Sequence, residues 1–179
     1  SEFKENLPYK YLEVYGAEAD DIIATLCKYT QTEKDRSKNE KVMIVSGDKD
    51  FIQLQRYSNV DQYSPITKKY INGHDPITYI KEHILKGDTS DGVPNVLSPD
   101  HTFTEGLRQR PLSRKKIDTW IDIDMEDMTD EVKRNYQRNE KLISLDKIPE
   151  ELEDDILREF AGAPHGDRSK LLNYFIQKR

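Results

Sequence analysis

The sequence predicts an α/β fold in which acidic residues follow the ends of the secondary-structure elements. Four consecutive apolar residues, Val42–Val45, are too few for a buried helix and rich in β-branched side chains. Such a run is typical of a central strand covered on both faces. Ser46 and Gly47 end the strand, and Asp48 and Asp50 follow at once. Because open α/β sheets bind ligands beyond the carboxyl ends of their strands, this acidic pair is a candidate site. A polar turn that happens to hold two acids is the alternative.

The composition limits the class of protein. Of 179 residues, 35% are charged, and the mean hydropathy is −0.89, which is typical of a soluble protein with a modest core. No membrane span or signal peptide is predicted. The net charge of −6 argues against a generic basic coat for nucleic acid, although bound divalent ions would reverse the local sign. The single cysteine, Cys27, fits a reducing cytosol and is interpreted as a core thiol.

The segment before the central strand contains the first acidic cluster. Tyr9–Val14 is predicted to be a strand that ends at Gly16, and a helix is predicted to begin at about Ala17 or Glu18. The first helical turn then holds three acids: Glu18, Asp20 and Asp21. The helix dipole alone favours acids at this position, so dipole compensation remains open beside a functional role.

Short elements follow the central strand. Phe51–Leu54 indicates a short helical turn, and Val60–Tyr63 and Lys68–Ile71 indicate two short strands. Asn72 and Gly73 predict a turn.

The third acidic cluster follows a well-delimited helix. Asp75 as N-cap and Pro76 at the first position predict its start, and Gly87 predicts its end. Its predicted buried stripe is Ile77, Ile80, Ile84 and Leu85. Asp88 and Asp91 come directly afterwards, and a simple turn followed by a helix cap is the alternative interpretation.

From Val93 the chain changes character. We predict a division into residues 1–92, a catalytic half, and residues 93–179, a mainly helical region that binds DNA. Helices are expected over Glu131–Lys141, from Pro149, and over Ser169–Gln177. Five bases are candidates for phosphate contact: Arg108, Arg110, Arg114, Lys115 and Lys116. A solvated basic loop that pairs with the acidic run after it is the equal alternative.

Seven carboxylates are candidate catalytic and metal-binding groups: Glu18, Asp20, Asp21, Asp48, Asp50, Asp88 and Asp91. Gathered in one pocket, they would repel one another by many kcal/mol unless cations lay between them. No His or Cys lies in these motifs, which argues against zinc, and oxygen ligands suit Mg²⁺ or Mn²⁺. Two ions about 4 Å apart would suit phosphodiester hydrolysis. The aspartates around Lys49 lack the pattern of a calcium-binding EF-hand loop.

Three motifs in order resemble the 5′-nuclease family, which includes flap endonucleases, the 5′-nuclease domain of bacterial DNA polymerase I and phage exonucleases. They are Gly16-Ala-Glu-Ala-Asp-Asp21, Ser46-Gly-Asp-Lys-Asp-Phe51 and Gly87-Asp-Thr-Ser-Asp-Gly92. The similarity covers most of the chain and is greatest to the T-even phage branch called ribonuclease H, whose members remove RNA primers.

The resemblance implies a PIN-like 5′-nuclease core followed by a helical carboxyl-terminal region. It places Glu18, Asp20 and Asp21 beside a first metal ion, Asp48 and Asp50 in the centre, and Asp88 with Asp91 at a second ion. Members of the family begin with a strand that bears an aspartate and with a basic arch, and neither is seen here. We therefore interpret the chain as a carboxyl-terminal fragment of such an enzyme. The Gly-rich helix-hairpin-helix that binds a monovalent ion is also not recognisable after Gly92, which puts a potassium site in doubt.

The resemblance implies a monomeric, cytoplasmic enzyme, in the host's cytoplasm if a phage encodes it. Its partners would be DNA and RNA–DNA duplexes with 5′ ends or flaps, with single-stranded-DNA-binding protein or a sliding clamp as candidate replication partners. A Toprim domain and a haloacid-dehalogenase-like phosphatase fit the motifs less well. The main rival is a metal- and DNA-binding module that is inactive without an amino-terminal half.

Overall fold

The structure, a computed structural model, describes residues 2–31, 39–72, 75–123, 125–164 and 168–178. The chain divides into two compact units. One comprises residues 1–26 with 149–179, and the other comprises residues 27–148. Each unit is described by itself. The predicted division after Gly92 is a different partition of the chain, and it stays a prediction.

The larger unit contains a mixed sheet of three strands in the order β1-β2-β3, which are Val42–Val45, Val60–Ser64 and Lys69–Tyr70. Strands β1 and β2 are parallel, with Ile44 opposite Gln62. Strands β2 and β3 are antiparallel. The three predicted strands of this region are therefore confirmed, and they form part of the predicted α/β fold.

The expectation that β1 is covered on both faces is wrong for the described residues. Ile44 is buried, but Met43 and Val45, which point to the opposite face, are 44% and 64% exposed. Because side chains alternate across a strand, one covered face leaves every second residue open. β1 is also an edge strand of this sheet within the described chain. An apolar run predicts the strand, but it does not predict what packs against it.

The elements after β1 follow the predicted order. A 3₁₀ helix at Asp50–Arg56 buries Phe51, Ile52 and Leu54. The helix α3, Pro76–Lys86, begins after Asp75, whose side chain accepts a hydrogen bond from the backbone N–H of Thr78. It ends at Gly87, as predicted. Ile84 and Leu85 are buried, whereas Ile77 is 59% exposed, so the predicted buried stripe is too wide at its start. The predicted turn at Asn72 and Gly73 includes a residue outside the described chain.

Two further helices complete the larger unit. They are α4, Arg114–Trp120, and α5, Asp130–Ile143, and a short 3₁₀ helix lies between them at Met125–Asp127. One core cluster joins four buried side chains: Leu85, Val96, Ile117 and Val132. A second joins Ile84, Val93 and Ile143. The segment after the third acidic motif is thus packed between α3 and the two later helices.

Buried amides on α5 hold that segment in place. Asn139 donates to the carbonyls of Ile84 and Pro94 at 2.8 and 2.9 Å. Asn135 donates to the carbonyls of Val96 and Ser98 at 3.0 and 3.3 Å. Because an irregular segment cannot satisfy its own carbonyls, these side chains supply the hydrogen bonds that a helix or strand would otherwise provide.

The smaller unit is helical. It contains α1, Glu2–Asn6, the start of α2, Ala19–Thr30, and the helices α6, Glu150–Gly162, and α7, Ser169–Gln177. The predicted helices from Pro149 and over Ser169–Gln177 are therefore confirmed. No described helix is both long and apolar enough to cross a membrane.

The predicted strand over Tyr9–Val14 is wrong. The structure gives these residues no strand, and Gly16 forms a left-handed turn at φ 81° before α2. Alternating aromatic and apolar residues favour a strand only where a neighbouring strand pairs with them, since a lone strand leaves its backbone groups without a ladder. Here the segment instead contributes Lys10, which donates to the carbonyl of Phe160 on α6.

Candidate metal centre

The second acidic motif occupies the sharp connection between β1 and the 3₁₀ helix. The side chain of Asp48 accepts a hydrogen bond from the backbone N–H of Asp50 at 3.1 Å, and its own N–H donates to Ser46 Oγ at 3.1 Å. These local hydrogen bonds stabilise the turn. They fix Asp48 and Asp50 beyond the carboxyl end of the strand, where the sequence predicted them.

A buried glutamine on β2 forms hydrogen bonds to the connection between β1 and the 3₁₀ helix. Gln62 is fully buried, and its Nε2 donates to the carbonyls of Ser46, at 3.0 Å, and Asp48. Its Oε1 accepts from Gln55 Nε2 at 3.1 Å. Every polar atom of this amide that the fold buries is thus used to position the loop that bears the two aspartates.

The third acidic motif is a tight turn centred on Asp88. Its Oδ1 accepts from the backbone N–H of Ser90 at 2.8 Å, from the Ser90 hydroxyl, and from the N–H of Asp91 at 3.4 Å. The N–H of Val93 donates to the Asp88 carbonyl at 2.7 Å, which closes the turn. Gly87 adopts φ 69°, a left-handed conformation that suits glycine.

Two residues of α3 that the sequence reasoning did not select complete the site. His83 Nε2 lies 3.1 Å from Asp88 Oδ2, and His83 Nδ1 lies 3.3 Å from Asp50 Oδ1. Tyr79, one turn earlier, packs edge to face on the His83 ring at 5.8 Å between centroids. Their spacing was the available signal, because residues four apart on a helix share a face and Asp88 follows directly after Gly87, the end of that helix.

Four carboxylates of the second and third motifs lie close enough for their charges to interact. Burial raises the pKa of Asp50; the charges of Asp48, Asp88 and Asp91 raise it further, and His83 opposes them. Burial and the neighbouring carboxylates also raise the pKa of Tyr79 to about 12. For Asp88, burial acts to raise the pKa, but the hydrogen bonds from Ser90, Asp91 and His83 outweigh it, and the pKa is lowered. A partly buried carboxylate beside three others is an environment that a nearby cation would stabilise.

The described residues contain one combination of His and carboxylates close enough to hold an ion: Asp50, His83 and Asp88, each with a ligand atom within 4.8 Å of the others. These groups fit a divalent ion in charge and donor type. No histidine lies within the acidic motifs of the sequence, but the fold brings His83 next to two of their aspartates. The prediction against zinc from the motifs alone therefore did not take this histidine into account.

The first acidic cluster lies in the smaller unit, at the start of α2. The side chain of Asp21 accepts a hydrogen bond from the N–H of Glu18 at 2.9 Å, which resembles half of a capping box. Asp21 therefore stabilises the start of this helix, as the capping alternative expects. A carboxylate retains free lone pairs after one such hydrogen bond, so a further role in metal binding stays a prediction for Glu18, Asp20 and Asp21.

The predicted basic residues lie between the third motif and α5, and several pair with acids. Arg110 contacts Glu131 at 3.0 Å, and Arg114 contacts Glu82 and Asp118, both at 2.8 Å. Lys116 lies 4.8 Å from the centre of the Trp120 ring, and Arg108 and Lys115 are exposed. Exposed ion pairs contribute little to stability and exchange readily, so this pairing leaves phosphate contact open.

A cavity of about 670 Å³ adjoins the acidic turn. Gly47, Tyr79 and three bases, Lys49, Lys86 and Arg114, are among its lining residues. Because Lys49 stands between Asp48 and Asp50 in the sequence, the cavity begins beside the carboxylates. Two acids, Asp75 and Glu82, also line it, and Glu82 forms ion pairs with Lys86 and Arg114. Lys49 therefore supplies the positive charge next to the acidic turn.

The fold and the site define the class as an α/β domain with a cluster of carboxylates beyond the carboxyl end of β1. Comparison with known families is specific. Residues 1–83 match the family described as the 5′-3′ exonuclease N-terminal resolvase-like domain. Residues 75–179 match the family described as the T4 RNase H C-terminal domain. The chain belongs to the 5′-nuclease family, as the three motifs indicated.

Relatives with known names support this membership. The chain is 34% identical over 186 residues to ribonuclease H of Enterobacteria phage T4, which covers 98% of this chain and 59% of that protein. It is 38% identical over 99 residues to a 5′-3′ exonuclease of Buchnera aphidicola subsp. Schizaphis graminum, covering 51% of this chain and 33% of that protein. It is 34% identical over 116 residues to DNA polymerase I of Lactococcus lactis, which covers 53% of this chain and 13% of that protein. The chain thus spans about three fifths of the T4 protein and smaller parts of the others.

A solved structure shares the fold. The T5 D15 protein, co-crystallized with metal ions, matches with a TM-score of 0.51 over 83% of this chain and 62% of that one. At 18% sequence identity the likeness concerns the fold alone.

Proposed function

We propose that this chain carries the metal centre of a nuclease that hydrolyses phosphodiester bonds at the 5′ ends of nucleic acids. The observation that carries the proposal is the convergence of three carboxylates, Asp48, Asp88 and Asp91, on the partly buried Asp50, whose pKa is raised. Such a group of charges is stable at neutral pH when divalent cations neutralise it. Family membership supplies the reaction class that uses this arrangement.

The residues would divide the work as follows. Asp48, Asp50, Asp88 and Asp91 would hold Mg²⁺, with Mn²⁺ as a substitute. Glu18, Asp20 and Asp21 would contribute to the first of two ions. Bound ions of this kind activate water and stabilise the leaving oxygen. Ser46, Gln62 and Ser90 keep the carboxylates in place through the hydrogen bonds described above.

The bases would hold the substrate. Lys49, Lys86 and Arg114 line the cavity beside the carboxylates, and we propose that they contact phosphates there. Lys86 and Arg114 would exchange their ion pairs with Glu82 for the phosphate. A second group would contact the duplex farther along its backbone: Arg108, Arg110, Lys115 and Lys116. We propose DNA and RNA–DNA duplexes with 5′ ends, flaps or RNA primers as substrates, in a cytoplasmic, monomeric enzyme. Single-stranded-DNA-binding protein and a sliding clamp are candidate partners.

A second candidate is a metal- and DNA-binding module that needs additional sequence for activity. This candidate is favoured by the length of the similarity, since the chain aligns with 59% of the T4 ribonuclease H and the rest of that protein has no counterpart in the aligned region. The two candidates share the metal site and differ in turnover.

Calorimetric titration with Mg²⁺ and Mn²⁺, combined with a 5′-flap cleavage assay on the same sample, separates the candidates. Ion binding with cleavage supports the nuclease, and ion binding without cleavage supports the module. The variants Asp48→Asn and Asp91→Asn should each lower ion affinity, and where cleavage occurs they should reduce it at least about a hundredfold, with the fold retained by circular dichroism. Asp61→Asn, an exposed aspartate on β2, is the control and should behave as the wild type. Wild-type ion binding by both site variants would refute the assignment.

A further inference from the structure

The imidazole of His83 occupies a position between two of the carboxylates that are proposed to hold metal ions. Its Nε2 faces Asp88 at 3.1 Å and its Nδ1 faces Asp50 at 3.3 Å. The His83 side chain is 16% exposed, so water has little access to the ring. A histidine so placed changes the donor set of the site from oxygen alone to oxygen and nitrogen.

The two ring nitrogens have different surroundings. Nε2 is within hydrogen-bonding geometry of Asp88 Oδ2. Nδ1 is buried and has no hydrogen-bond partner, because its short approach to Asp50 lacks hydrogen-bond alignment. A neutral imidazole carries one N–H, and the contact with Asp88 assigns it to Nε2. The lone pair of Nδ1 and an Asp50 oxygen then face each other, which is favourable when a cation binds both.

This arrangement resembles histidine at metal sites in general. A metal-bound histidine usually donates its other N–H to a carboxylate, which fixes the ring and makes the ligating nitrogen more basic. Asp88 holds His83 in this way. Adjacent ligands of one ion, each about 2.0–2.2 Å from it, lie about 3.0–3.5 Å apart, and the 3.3 Å between Nδ1 and Asp50 falls in that range.

We propose that His83 ligates a divalent transition-metal ion through Nδ1, together with Asp50, so that this site binds Co²⁺, Zn²⁺ or Mn²⁺ more tightly than the Mg²⁺ it also accepts in the proposed function. The proposal rests on the metal centre of the proposed function and adds to it the class of ion. Mg²⁺ takes oxygen ligands and retains its waters, whereas imidazole nitrogen favours transition-metal ions. His83 then determines which divalent ion the site prefers, and Asp88 positions the His83 ring.

The test compares the affinity of Co²⁺ and Mg²⁺ by calorimetry for the wild type and His83→Gln. The wild type should bind Co²⁺ at least about tenfold more tightly than Mg²⁺. His83→Gln should lose about tenfold or more in Co²⁺ affinity and less than about threefold in Mg²⁺ affinity. The visible absorption of bound Co²⁺ should shift in the same variant. His101→Gln, which removes a histidine that is 53% exposed, is the control and should match the wild type. An unchanged ratio of Co²⁺ to Mg²⁺ affinity in His83→Gln would overturn the proposal.

A measurement on the wild type avoids any effect of substitution on folding. With ¹⁵N-labelled histidine, addition of Zn²⁺ should shift the Nδ1 resonance of His83 and leave its Nε2 protonated. If both nitrogens stay protonated at saturating Zn²⁺, His83 is an imidazolium ion bridging two carboxylates, and it is not a ligand. The flap-cleavage assay tests the nuclease proposal independently of ion selectivity. Cleavage with Mg²⁺ but no ion selectivity would refute the His83 proposal alone. Ion selectivity without cleavage in the presence of any ion would refute the nuclease proposal alone.

Discussion

At the scale of single residues, the sequence was sufficient to select the acids of the candidate site, whereas their neighbour His83 was found only in the structure. Asp48, Asp50, Asp88 and Asp91 were selected because oxygen ligands at element ends are typical of metal sites, and the structure brings them together. His83 was missed because it stands outside the acidic motifs. The predicted end of α3 was the available signal, because His83 lies one turn before Gly87 and Asp88 follows Gly87 directly.

Glycines explain how the third motif turns. Gly87 and Gly92 both adopt positive φ, at 69° and 74°, but their surroundings differ. A Cβ on Gly87 would lie 2.4 Å from the carbonyl oxygen of Val93, whereas a Cβ on Gly92 would meet no atom within 4 Å. Asn is, after glycine, the residue that best tolerates the left-handed region. The backbone at Gly92 would therefore accept Asn.

The two glycines should respond differently to substitution. Gly87→Ala should lower the free energy of unfolding by about 3 kcal/mol or more, because left-handed strain adds to a clash with backbone that cannot move cheaply. Gly92→Asn should cost at most about 1 kcal/mol. Urea unfolding followed by circular dichroism measures both, and equal losses would show that space around Gly87 is not the limiting factor.

At the scale of elements, local signals predicted which segments are helices and which are strands. The cap at Asp75 and the end at Gly87 were placed correctly because both depend on neighbouring backbone alone. The strand predicted over Tyr9–Val14 is absent, and β1 has an open face, because pairing and covering depend on distant residues. The short apolar run of β1 was therefore sufficient to predict a strand and insufficient to predict its place in the sheet.

An ion pair connects the 3₁₀ helix after β1 to the segment that follows α5. Both oxygens of Asp146 accept from the guanidinium of Arg56. This hydrogen bonding, followed by the charge of Arg56, lowers the pKa of Asp146 although burial opposes it. The contact therefore stabilises the fold while Asp146 is ionised.

The stability of the protein should depend on this carboxylate in acid. Because the folded pKa lies below the unfolded value of about 3.9, the contribution is present above that value and is lost as the pH falls through the folded pKa. Asp146→Asn should lower stability at pH 7 by about 1 kcal/mol, a value limited by solvent screening, and should show a shallower loss below pH 4. Asp155→Asn, from the exposed pair with Arg158, is the control. Parallel stability curves against pH for Asp146→Asn and the wild type would contradict the assignment.

At the scale of the whole molecule, the clustered charges of the acidic site lower the stability of the metal-free protein and, in the proposed function, favour the binding of divalent ions. Asp50 is 27% exposed on its side chain, and its pKa is raised by burial and by three neighbouring carboxylates. Its charge at neutral pH therefore costs free energy in the metal-free protein. The proposed function accounts for this cost, because a site that binds ions through clustered carboxylates must hold them together before the ion arrives.

Asp50→Asn should separate the two effects by reversing sign with metal. Without divalent ions at pH 7, the variant should be more stable than the wild type by about 1 kcal/mol, since it removes a partly buried charge that three neighbouring carboxylates repel. With ions at about 100 times the wild-type dissociation constant, binding should stabilise the wild type by about 2.7 kcal/mol and the variant much less, so the order should reverse. Thermal unfolding with EDTA and with Mg²⁺ or Co²⁺ measures both halves. If the wild type is the more stable protein in EDTA, repulsion at Asp50 is too weak to demand a cation; if the order fails to reverse with either ion, Asp50 does not bind it.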